Sequence, residues 1–174
     1  LKEANLLTSK PLMYILNSDE YSADSLSGPE SGGALKEQTL LGEPCISICA
    51  RLEAELADLP TDEAKAYLKD LGVEESGLDR LIRASYALLG LITFFTSGEK
   101  ETRAWTVKNG TRAPSAAGVI HSDFESSFIR AEVIDSKDFV ELGESGAKEK
   151  GKLRIEGKDY IMQDGDVCHF RVGV

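Results

Sequence analysis

Apolar residues fall into two kinds of pattern along this chain, and the change comes near its middle. Before residue 91 they form continuous runs or runs at the helical period; after it the period drops to two in several short stretches. The first continuous run, Pro11-Leu12-Met13-Tyr14-Ile15-Leu16, predicts a strand covered on both faces inside a parallel sheet. It stops at Asn17-Ser18-Asp19-Glu20. Ligands of open α/β sheets lie at the carboxyl ends of strands, which makes this tetrad a candidate site. A plain Asn/Asp turn is the simpler alternative, and the residues by themselves favour it.

Residues 21–33, rich in Ser, Gly and Asp, read as a surface loop, and 34–41 as a short helix. Residues 45–50 predict a second buried strand and 52–59 a short amphipathic helix. Two strands and a crossover are fragments of a doubly wound sheet, so the first fifty residues read as the end of an α/β domain. Two stronger helices follow. Thr61 is a candidate N-cap ahead of Ala64, Tyr67, Leu68 and Leu71, with Gly72 as the stop. Ser76 with Asp79 resembles a capping box ahead of Leu78, Leu81, Ile82, Ser85, Tyr86 and Leu89, a face expected to point at the core.

From residue 92 the pattern is that of a small mixed sheet. Residues 93–96 and 102–107 predict strands around Ser97-Gly98, and Asn109-Gly110 signals a hairpin turn. Pro114 opens a short helix carrying Ala117, Ile120 and Phe124, and 129–134 is a β-branched strand. Residues 136–142 and 147–153 look helical, with Gly143 and Gly151 as stops. Strand-like segments at 154–155 and 158–162, then Asp164-Gly165 and a last strand at 166–172, complete a β-grasp-like order. The fold class is therefore α+β.

Composition narrows the function classes. The 174 residues are 41% hydrophobic and 29% charged, a globular mix, and the longest apolar run, 87–95, is too short to span a bilayer. No signal peptide is visible, and the absence of an initiator Met implies processing or a piece of something longer. The net charge of −10 is uneven: residues 1–91 carry 8 basic and 16 acidic side chains, residues 92–174 carry 12 and 14. Only the second part could present a cationic face to nucleic acid. Three cysteines fit a reducing compartment. Cys45 and Cys49 share a strand face but lack further ligands nearby, so they read as buried small hydrophobes and no metal site is expected. His121, Ser122 and Asp123 are contiguous and would point in different directions on a helix, which excludes a relay.

The blocks RAWT, GTRAPSAAG, IHSDFE and QDGDVCHFR, taken together, resemble the YchF/Obg-like ATPase family. The resemblance covers the last hundred residues almost without gaps and extends more loosely to the start. It implies that residues 1–91 are the C-terminal segment of an OBG-type P-loop α/β G domain, with its base-recognition strand and following helices. Residues 92–174 would be a β-grasp (ubiquitin-like) TGS domain. Where most P-loop GTPases carry N-K-x-D, this family carries N-x-x-E and is expected to prefer ATP. Asn17 and Glu20 fit that spacing, Ser18 falls where the nucleotide is contacted, and Cys49 and Ala50 lie in the segment that packs on the base.

The phosphate-binding motif G-x-x-x-x-G-K-[ST] does not occur in these residues, and Mg²⁺ ligands are not expected here. No catalytic residue is assigned, and the chain by itself is expected not to hydrolyse ATP. The resemblance further implies a ribosome or ribosomal RNA partner, no DNA and no membrane, in the cytoplasm or an organelle's stroma or matrix. Arg103, Lys108, Arg112 and Arg130, with Trp105 as a stacking side chain, are the RNA or partner-binding candidates. The alternative is a non-enzymatic TGS-type binding module.

Overall fold

The computed structural model describes residues 6–18, 38–98 and 101–173, without the side chains of Gln38 and Thr39. The chain divides into two compact units, Leu1–Leu89 and Gly90–Val174.

In the first unit, β1 (Tyr14–Asn17) pairs in parallel with β3 (Glu43–Ile48), and β2 (Gln38–Leu40) pairs with β3 antiparallel, giving the order β1-β3-β2. The helix expected at 34–41 is, over its described part, strand β2. Leu41 and Gly42 both take positive φ, 56° and 88°, and close a tight hairpin into β3. Three helices follow: α1 (Ala50–Ala57), α2 (Thr61–Asp70) and α3 (Gly77–Leu89). Cys49, Leu52, Leu56 and Leu68 form the buried cluster.

Two expectations for this unit need correction. β1 is shorter than its apolar run and is not covered on both faces, since Ile15 and Leu16 are each 47% exposed. On α3, the stripe expected to face the core leaves Leu78, Ile82 and Leu89 about half exposed. The helix instead docks by its first turns. Gly77 N–H donates to Glu53 Oε1 at 2.7 Å, Arg80 Nη2 donates to the Ser47 carbonyl at 2.9 Å, and Ser76 Oγ caps the Asp79 N–H. Thr61 is the first residue of α2, not its cap; Pro60 precedes it.

The second unit has a five-stranded sheet, ordered β5-β4-β8-β6-β7. Its strands are β4 (Leu91–Ser97), β5 (Thr102–Lys108), β6 (Phe128–Asp135), β7 (Arg154–Glu156) and β8 (Asp166–Val172). β4 and β8 are parallel neighbours; the other pairings are antiparallel. Helix α4 (Ala113–Ile120) crosses one face, entered through Pro114, whose missing N–H matters little in a first turn. Ala113, Ala116 and Ala117 are fully buried, so α4 seats closely on Phe94, Val133, Met162 and Phe170. A one-turn helix, α5 (Ser122–Ser126), and the longer α6 (Ser136–Glu149) complete the unit. Phe139 of α6, with Leu153, meets Ile134 and Val167 on the opposite face of the sheet.

The helix expected around Ala117 to Phe124 breaks at His121, whose extended backbone caps α5. Residues 158–162 form no strand and contribute a single bridge, Ile161 to Arg112. Asn109-Gly110 turns β5 into α4 and not into a hairpin, with positive φ at Gly110 only. Gly143, at φ 65° and ψ 176°, interrupts α6 where the sequence placed a stop. The outcome is a β-grasp, TGS-like second unit behind part of an α/β domain.

Candidate functional site

Parallel pairing brings the carboxyl ends of β1 and β3 together, with Asn17 opposite Ile48. The Ser18 N–H donates to the Ile48 carbonyl at 2.9 Å, and the Ser18 hydroxyl reaches the same oxygen at 3.4 Å. Asn17 Oδ1 accepts the Ala50 N–H at 3.1 Å, at the start of α1. One side chain thus ties the end of β1 to the loop that leaves β3, and makes a ledge where α/β sheets hold ligands. Asn17 and Ala50 are exposed there, and Ser18 is partly covered.

Cys49 enters this ledge by its backbone alone. Its side chain is 1% exposed and packs with Leu52 and Leu56 beneath the loop, so the surface on the site side is Ala50. Glu20 lies outside the described residues. Glu53, Gly77 and Arg80, which the sequence reading passed over, hold α3 against the back of β3. Their signal was faint: an acidic residue in a helix's first turn and a glycine opening the next helix. At Gly77 a Cβ would stand 2.9 Å from Glu53 Oε1 and 3.0 Å from Ile48 Cγ2, which is why glycine sits there.

The five residues proposed for RNA or partner contact are not one patch. Strand alternation places Arg103 and Trp105 on the α4 side of the sheet, and Lys108 and Arg130 on the other. Lys108 pairs with Leu91 at one end of β4, whereas Arg103 pairs with Thr96 near the other. Arg112 reaches Asp159 at 3.3 Å. Arg130 reaches Glu132, whose carboxylate is also gripped by Arg171 through Nε and Nη2 at 3.2 and 3.0 Å. The Arg171 hydrogen bond holds the Glu132 carboxyl below its ordinary range, burial opposing it and Arg130 adding to it.

Trp105 is half-buried, its Nε1–H donating to Thr96 Oγ1 at 2.9 Å, and the Arg103 guanidinium lies over its ring at 4.2 Å. On the edge of the same face, Asp166 is 3% exposed and accepts from Arg154, from the Tyr160 hydroxyl at 2.8 Å and from the Gln163 N–H. Burial, then the bond to Asp166, pushes the Tyr160 hydroxyl up to about 12. Burial raises the Cys168 thiol well above its ordinary value, which leaves it unreactive. These are the marks of a structural ion cluster. Among the described residues no group of His, Cys, Asp and Glu is arranged to hold a metal ion, and no helix is long and apolar enough to cross a membrane.

Residues 91–173 match the family YchF-GTPase_C, described as a protein of unknown function (DUF933). The whole chain aligns with the ribosome-binding ATPase YchF of Haemophilus ducreyi at 54% identity and of Bacillus subtilis at 51%, covering 48% of each. A solved structure of the Schizosaccharomyces pombe YchF GTPase superposes with a TM-score of 0.75 at 32% identity, over 95% of this chain and 44% of that one. The chain is similar along its whole length to the C-terminal part of YchF/Obg-like ATPases. It spans about half the length of these relatives and corresponds to their C-terminal part. The YchF likeness runs through both units, so it covers the ledge at Asn17 as well as the β-grasp module.

Proposed function

We propose that residues 1–91 supply the base-reading edge of a nucleotide site in a YchF-type P-loop ATPase, and that residues 92–174 are a TGS domain that docks the protein on the ribosome. The observation that carries the first part is the bond from the Ala50 N–H to Asn17 Oδ1, which joins the end of β1 to the start of α1, where a base would lie. Asn17 then holds the loop, Ser18 and Ala50 flank the base, the Cys49 backbone shapes the loop, and Glu20 reads the adenine edge. An Asp in the last position of N-K-x-D accepts two guanine donors through a carboxylate at fixed reach; Glu is one methylene longer and does not reproduce that geometry. These groups fit the base end of ATP. The phosphates and Mg²⁺ would be held by residues elsewhere in the whole protein, which would also carry out hydrolysis, in the cytoplasm or an organelle stroma or matrix.

The test is a titration of the full-length protein with ATP and with GTP. Tighter ATP binding is expected, and Asn17→Ala should weaken ATP about tenfold through loss of the hydrogen bond that ties the end of β1 to the start of α1. A clear preference for GTP would remove the role given to Glu20.

A second reading, a binding module without catalysis, is favoured by the self-contained core of the second unit. It predicts salt-dependent ribosome co-sedimentation that survives Asn17→Ala but weakens on charge reversal at Arg103 and Arg112.

A further inference from the structure

The five arginines of the second unit sort by what meets their guanidinium groups. Arg112 reaches Asp159, Arg130 and Arg171 share Glu132, and Arg154 reaches the buried Asp166. Arg103 differs: it meets no carboxylate among the described residues, and its Cζ lies 4.2 Å from the centre of the Trp105 ring. The indole is fixed from below by the core and from its edge by Thr96 Oγ1 at 2.9 Å. Thr96 is itself the cross-strand partner of Arg103. The guanidinium therefore rests on an immobilised plane, and part of the ordering entropy of a long side chain is already spent before any ligand arrives.

A planar guanidinium held over a ring with its centre 4.2 Å away has a second face for a ligand, and its N–H donors lie around the rim. Arg103 is exposed, so both are open to a ligand. That combination fits an unpaired nucleobase, which stacks on the free face while the rim donors reach a phosphate oxygen. It fits an acidic peptide less well. Such a ligand needs several cations together, yet Lys108 lies on the other face, Arg112 and Arg130 are paired, and the chain carries a net charge of −10.

We infer that Arg103, backed by Trp105, is a stacking subsite for an unpaired RNA base, and that the contact surface is the guanidinium and not the indole. The inference rests on reading the second unit as a ribosome-docking module and assigns the atoms that make one contact.

Binding of a short oligoadenylate RNA to the full-length protein tests it, with polyglutamate as competitor and ribosome co-sedimentation measured in parallel. Arg103→Lys keeps the charge and loses the plane, at an exposed position whose change removes no core side chain. It should weaken oligoadenylate about tenfold. Wild-type protein that ignores the RNA, or an Arg103→Lys variant that binds it equally well, overturns the subsite. Displacement of the RNA by polyglutamate at equal charge reassigns the site to an acidic peptide and also overturns it. Oligoadenylate binding that depends on Arg103, in a protein that does not sediment with ribosomes, upholds the subsite and overturns the ribosome reading alone.

Discussion

The two units reach very different degrees of closure among the described residues. Among the described residues, the second unit buries a cluster of twelve side chains between one face of its sheet and α4, while the first buries four. Phe94, on β4, is fully buried; Ile15 and Leu16, on β1, are half exposed. A strand's side chains state which surfaces it wants covered, and the cover must come from other elements. In the second unit α4 arrives within a few residues of β5 and its alanines let it seat closely. In the first, among the described residues, β1 pairs with β3 alone and Ile15 and Leu16 stay half exposed.

The sharpest way to test that contrast is to open the closed unit from its edge. Asp166→Ala would leave the partly covered Arg154 and the Tyr160 hydroxyl facing a vacated acceptor and should cost the second unit about 3 kcal/mol. Thermal melting with probes in each unit checks it. A matched loss in the first unit would show that the two do not unfold independently.

In the open unit, a smaller effect is expected from a single methyl group. Gly77→Ala would push Glu53 and Ile48 back by a few tenths of an ångström and should cost about 2 kcal/mol. Hydrogen exchange would find the loss in α3 and β3. An unchanged melting profile would mean that the carboxylate shifts freely and that the Glu53 contact does not position α3.

The least effect is expected at the alkaline limb of the second unit. The Tyr160 hydroxyl has a folded pKa of about 12, above its value in the unfolded chain near 10. The folded state therefore holds the proton more tightly, and this contribution is complete below about pH 10 and is lost as pH rises toward 12. The stability difference between wild type and Tyr160→Phe should shrink across that window in denaturant titrations. A constant difference would mean that the hydroxyl is wetter than its contacts indicate.

Much of the architecture was legible along the chain because it is local. The Gly72, Gly90, Gly143 and Gly165 positions take the positive φ that ends or turns an element, and Ser76 caps α3 as its spacing suggested. The misreadings came from non-local causes. Residues 34–41 are expected as a short helix, yet β3 offers Gln38, Thr39 and Leu40 an edge, and a two-residue turn delivers them to it. The α3 stripe obeyed the helical period and still failed as a guide to burial, since period says which residues share a face and not what that face meets. The candidate nucleotide residues were visible as a spacing of Asn17 to Glu20, but the bond that links Asn17 to Ala50 crosses 33 positions and has no local signature.

The sequence by itself determined the strand and helix periods, the turn chemistry, the family blocks and the segregation of charge, all of which depend on neighbours a few residues apart. The tertiary structure decided which cations remain available. Arg103, Arg112, Arg130 and Arg171 are equivalent as letters, and folding gives three of them carboxylates, one across the sheet, and sets the fourth over Trp105. Charge is a property of a residue. Whether it already has a carboxylate beside it depends on what the fold brings there.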